Sequence, residues 1–102
     1  MKTINSLTNP QIRQLHKLHN KKYRDQMRKF LIEGYHLIEE AKEQNCLETV
    51  LITKEEDKID GVKNILVSPE IISKLSQTKT PQQIIGVCNF FPEYPITGSR
   101  FL

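Results

Sequence analysis

Ile84-Ile85-Gly86-Val87-Cys88 runs for five residues without a polar side chain. A strand with one wet face alternates apolar and polar residues, whereas a strand apolar on both faces needs cover on both. The run is too short for a buried helix, so it predicts a central strand over 84–89 in a sheet with layers on either side. Phe30-Leu31-Ile32, Val50-Leu51-Ile52 and Ile65-Leu66-Val67 are shorter runs of the same kind. They predict strands at 30–33, 50–53 and 64–67.

Helical patterns alternate with these runs. Residues 35–44 place Leu37, Ile38 and Ala41 inward and Glu39, Glu40 and Glu43 toward water. Ser68-Pro69-Glu70 opens a helix over 69–76: Ser caps, Pro suits the first position, and Glu complements the dipole. Ile71, Ile72 and Leu75 form its buried side. Asn45-Cys46 and Asp60-Gly61 mark turns, and Thr78-Lys79-Thr80-Pro81 a loop. The fold class expected is α/β: a three-layer α/β/α sandwich with a four-stranded mixed or parallel sheet.

Toward the N-terminus, Asn9-Pro10 is a strong helix start, and a basic helix is expected over 9–24. At about 100° per residue Ile12, Leu15 and His19 share one side, with Leu18 at the margin. Arg13, Lys17, Lys21, Arg24 and Arg28 would form a stripe roughly 80° wide nearly opposite. An unbroken helix would also turn Lys22 toward the core, so the regular helix is expected to end near Asn20 or to leave the body. The chain of 102 residues fits one domain, with residues 1–91 as the unit and 30–91 as its body. Pro92 and Pro95 bracket a stretch without apolar period, read as a linker over 92–102.

The first 29 residues carry eight Lys/Arg against one acid, a net of +7, whereas the other 73 carry seven against eleven, a net of −4. Concentrated positive charge favours polyanions, and nucleic acid is the first partner to consider. The candidate contacts are Lys17, Lys21, Lys22, Tyr23, Arg24, Arg28 and Lys29. Tyr23 among the cations could stack on a splayed base while Lys and Arg hold phosphates. The plainer alternative is a solvated face.

Candidates for other chemistry are few. The four glycines are isolated, which leaves no Gly-rich phosphate loop. His16 and His19 lie three apart but lack a third metal ligand nearby. Cys46 and Cys88 do not make a Cys-x-x-Cys site and read as buried reduced thiols. Glu33 at a strand end could be a catalytic acid, but it better suits a structural carboxylate that accepts backbone N–H groups or pairs with an Arg. Ser68 is explained by capping. No secretory signal is read at the N-terminus, and no apolar run approaches a membrane helix. The expected compartment is the cytoplasm.

Asn9-Pro10 with Lys21-Lys22-x-Arg24 is followed by Phe30-Leu31-Ile32-Glu33-Gly34-x-His36-Leu37-Ile38-x-Glu40-Ala41. Thr78-x-Thr80-Pro81-Gln82-x-Ile84 and Gly86-Val87 come next. In order and spacing this set resembles the N-terminal substrate-binding domain of the SpoU/TrmH-type RNA 2′-O-ribose methyltransferases, over about residues 3–90. The resemblance implies a fold like ribosomal proteins L30e and L7Ae and an RNA partner, ribosomal RNA ahead of transfer RNA. It adds Thr80 and Gln82 to the candidate RNA contacts. The family's catalytic part is a knotted C-terminal domain that binds S-adenosylmethionine and through which the parent enzyme is expected to form a homodimer. Its motifs are absent here, although Arg100-Phe101-Leu102 resembles the opening of its first strand. The resemblance thus implies no catalysis and no cofactor in this chain. Two other readings stand beside it: a stand-alone L7Ae-like RNA-binding protein, and a protein-interaction domain whose basic helix meets an acidic partner.

Overall fold

The structure, a computed structural model, describes residues 1–90. Along the chain run β1 (Lys2–Ile4), α1 (Pro10–His16), a 3₁₀ turn (Lys17–His19), α2 (Lys21–Met27), β2 (Lys29–Glu33) and α3 (Tyr35–Glu43). Then come β3 (Leu47–Ile52), a second 3₁₀ turn (Glu55–Asp57), β4 (Lys63–Val67), α4 (Pro69–Leu75) and β5 (Ile84–Asn89). The linker expected over 92–102 and the strand opening at Arg100–Leu102 lie outside the described residues.

The sheet is mixed, in the order β1-β4-β3-β5-β2. β5 lies between β3 and β2 and is antiparallel to both, while β1, β4 and β3 are mutually parallel neighbours. The apolar run at 84–88 is fully covered, as its lack of polar side chains requires. Strand parity divides the core. Leu51, Ile65, Val67, Ile85 and Val87 face Ile12, Leu15 and Leu18 of the N-terminal helices and Ile71, Ile72 and Leu75 of α4. Val50, Ile52, Ile84 and Cys88 face Ile38 and Ala41 of α3. Helices thus cover both faces, with α3 alone on the second. That helix lies so close that a Cβ on Gly86 would stand 2.6 Å from Ile38 Cδ1.

Four expectations need correction. The sheet has five strands, not four: β1 pairs in parallel with β4, Ile4 opposite Val67. Only Ile4 of its three residues is buried, so it has no apolar run to announce it. The helix expected over 9–24 is broken, near Asn20, where the position of Lys22 already calls for the regular helix to end. Asn20 is extended (φ −103°, ψ 129°), and its side chain accepts from Lys22 N–H, starting a new helix. The break turns Lys22 to solvent and buries Leu18. Leu37 is 45% exposed rather than inward, because α3 needs only the Ile38–Ala41 stripe to cover its face. Ser68 does not cap α4 with its side chain; its Oγ is buried without a partner among the described residues. Its carbonyl instead accepts from Ile71 and Ile72 N–H.

Candidate nucleic-acid interface

Helix α2 buries none of its residues fully. Met27 packs against the α1/α4 side of the core, and Arg24 supplies the other anchor. Its Nη1 donates to Leu18 O and His19 O, each at 3.0 Å, satisfying carbonyls at the end of the preceding turn. These contacts hold α2 as a ledge on the first face of the sheet. Arg28 closes the helix in the left-handed conformation (φ 57°, ψ 43°) and donates its backbone N–H to Arg24 O.

The candidate cations differ in what they are doing. Lys17 and Lys22 are exposed, and their ammonium groups stand 5.4 and 5.5 Å from the centroid of the Tyr23 ring. These are cation–π distances, so a base stacking on Tyr23 must share the ring. Lys21 forms an exposed pair with Asp25 at 2.7 Å, a contact weak enough in water to yield to a phosphate. The Arg28 guanidinium lies 5.9 Å from the Phe90 centroid. Arg24 and Lys29 are engaged within the fold. Lys29 Nζ donates to Glu48 Oε1 at 2.7 Å and Asn89 Oδ1 at 2.8 Å.

Other polar groups join this face. Exposed Arg13 lines a shallow groove with Pro10, Gln14 and Lys17. The rings of His16 and His19 are 4.6 Å apart, and His19 Nε2–H donates to Leu75 O at 2.8 Å. Partial burial holds His16 below the ordinary imidazole value, with the His19 and Lys74 charges acting in the same direction. Lys74 and Lys79, both exposed, were missed in the sequence because they are isolated cations outside the basic run. No group of three metal-ligating side chains occurs among the described residues.

Thr80 and Gln82 lie exposed on the loop between α4 and β5. Glu33 secures this loop. Its carboxylate accepts from Ser76 Oγ at 2.9 Å and from Gln82 backbone N–H at 2.7 Å, the structural role suited to that carboxylate. The opposite face carries an excess of acid: Glu39, Glu56, Asp57 and Asp60, with Lys42 and Lys58 among them, line a groove between α3 and the second 3₁₀ turn. The charge split along the chain is therefore a charge split across the sheet.

Residues 9–86 match the family described as the MRM3-like substrate binding domain, and the chain belongs to that family. A curated relative is the 23S rRNA (guanosine(2553)-2′-O)-methyltransferase RlmP of Bacillus subtilis (strain 168), 36% identical over 105 residues. The match takes in 98% of this chain but 42% of that protein. A solved RNA 2′-O ribose methyltransferase superposes with a TM-score of 0.77 at 28% identity, over 95% of this chain and 41% of that one. The AdoMet-bound rRNA methyltransferase from Sinorhizobium meliloti gives 0.74 at 27%, over 88% and 37%. The chain thus spans less than half the length of these relatives, and the SpoU/TrmH resemblance holds for this domain.

No helix among the described residues is long and apolar enough to cross a membrane.

Proposed function

We propose that this chain is the RNA-binding part of an S-adenosylmethionine-dependent 2′-O-ribose methyltransferase that acts on ribosomal RNA, the 23S molecule first. It binds and positions RNA and transfers no methyl group itself. The observation that carries this reading is the separation of charge across the sheet in a substrate-binding family. The α1–α2 face presents Arg13, Lys17, Lys21, Lys22 and Arg28, while the groove on the α3 face presents four carboxylates against Lys42 and Lys58. A polyanion approaching the molecule is drawn to one side and repelled from the other. Lys17 and Lys22, both beside Tyr23, hold phosphates, while Thr80 and Gln82 extend the contact surface. Arg24 and Lys29 support it from within.

The reading includes an L30e/L7Ae-like fold for residues 1–91, supported by a mixed sheet with helices on both faces. It also includes a homodimeric parent enzyme joined through its catalytic domain, and a cytoplasmic location. Photo-cross-linking to a 23S rRNA hairpin, followed by peptide mapping, tests the face. Cross-links are expected in residues 13–28 and 78–82. Cross-links confined to α3 and residues 55–60 would overturn the reading.

A further inference from the structure

The loop between α4 and β5 is joined to the basic face by a continuous set of hydrogen bonds. Arg24 holds the Leu18 and His19 carbonyls, His19 holds the Leu75 carbonyl, and the next residue, Ser76, donates to both carboxylate oxygens of Glu33 at 2.9 Å. Thr78 N–H donates to Ser76 Oγ at 3.1 Å, and Gln82 N–H to Glu33 Oε2 at 2.7 Å. Strand parity gives the orientation. Phe30 and Ile32 of β2 pack on the α3 side and Leu31 on the α1/α4 side, so Glu33 points the same way as Leu31, toward the basic face. At that end the Gln82 side chain lies against Gly34, within 3.6 Å of where a Cβ would be. The left-handed φ of +105° at Gly34 favours glycine.

An acid on a face that binds phosphates is electrostatically unfavourable there, so its place needs another reason. We infer that Glu33 is a positioning residue for RNA. It holds the Thr78–Gln82 loop against the cationic face so that the Gln82 amide and Thr80 hydroxyl meet an unpaired base beside the phosphates held by Lys17 and Lys22. This rests on the RNA-binding reading above and adds a division of labour. The cations supply affinity without regard to sequence. The loop supplies the donor and acceptor pair that distinguishes an unpaired nucleotide from a closed A-form helix, whose deep groove side chains cannot enter.

The test uses the sign of the effect. If Glu33 were only a nearby acid, Glu33→Gln would remove a repulsion and tighten RNA binding. If it positions the loop, the same change weakens binding although it makes the protein more positive. The probes are a synthetic RNA hairpin with an unpaired loop and a blunt RNA duplex of equal length, titrated against the chain at several salt concentrations. E33Q is expected to lower hairpin affinity about tenfold, the worth of one or two lost polar contacts. Duplex affinity and the salt slope should stay as they were. Gln82→Ala should do the same, and E33Q with Q82A should lose little more than either alone, because the two act through one loop. Glu43→Gln, on the opposite helix, should leave hairpin affinity within about twofold, as a distant surface charge is screened. If E33Q fails to fold, Ser76→Ala with Thr78→Ala loosens the same loop and leaves the carboxylate in place. Unchanged or tighter hairpin binding by the folded variants, or equal losses on hairpin and duplex, would overturn the inference. A wild-type chain that binds neither probe would instead overturn the RNA-binding reading itself.

Discussion

A methyl group added at Gly86 would stand 2.6 Å from Ile38 Cδ1 and 2.9 Å from Leu47 Cδ1. Both side chains are buried, so neither can swing into solvent to make room. Overpacking of this kind costs about 1–3 kcal/mol, and Gly86→Ala should lower unfolding free energy by that amount in a denaturant titration. A variant as stable as the parent would mean that α3 sits further from the sheet. Cys88 gives a second test on the same face. Burial first, and the neighbouring Cys46 thiol second, push its thiol up to about 12. The thiolate is the reacting species, so at neutral pH native Cys88 should resist an aromatic disulfide reagent. In a Cys46→Ser variant the remaining thiol should react slowly in buffer and rapidly in guanidinium. Reaction in buffer at the rate of free cysteine would contradict the burial.

Helix α2 shows how residues of one charge come to do different work. Arg24 closes the preceding turn by donating to two carbonyls, whereas the ammonium of Lys22, two residues earlier, stands 5.5 Å from the Tyr23 centroid. Arg24→Ala should therefore destabilise the fold by about 1–3 kcal/mol, the range for hydrogen bonds to a charged group and the carbonyls left behind. Lys22→Ala should leave the melting temperature nearly unchanged and flatten the salt dependence of RNA binding by about 0.7, one phosphate contact on a single strand. The opposite pattern would exchange their roles. The density of charge was legible in the sequence; these roles were not. The partners of Arg24 are backbone carbonyls five and six residues away, and those of Lys29 lie on β3 and β5. No spacing rule carries such contacts. The elements α3, α4, β3, β4 and β5 were legible because each buries a periodic or continuous apolar set. The strand β1 was not, because an edge strand with one buried residue leaves no pattern. Leu37 was misplaced because a single helix covering a face buries a narrower stripe than its apolar residues suggest.

Across the whole molecule, the sheet turns a division along the chain into a division in space. Cations of the first 29 residues gather on the α1/α4 side, and Glu39, Glu56, Asp57 and Asp60, outnumbering Lys42 and Lys58 beside them, line the α3 side. A basic pattern was visible before the fold, but its confinement to one face follows from two facts of packing. Leu18 and Met27 tie the basic segment to one half of the core, and Ile38 ties the acidic helix to the other. The central claim is that this cationic face binds RNA. Fluorescence anisotropy with a ribosomal RNA hairpin across a salt series tests it, comparing Lys17→Ala/Lys22→Ala with Lys54→Ala/Lys58→Ala/Lys63→Ala. About four phosphate contacts should give the parent chain a log–log slope near −3, and two lost contacts should bring it to about −1.5 with a large fall in affinity. The triple variant removes more charge from among the acidic residues and should keep the parent slope. Equal losses in the two variants, or a larger loss in the triple one, would contradict the account.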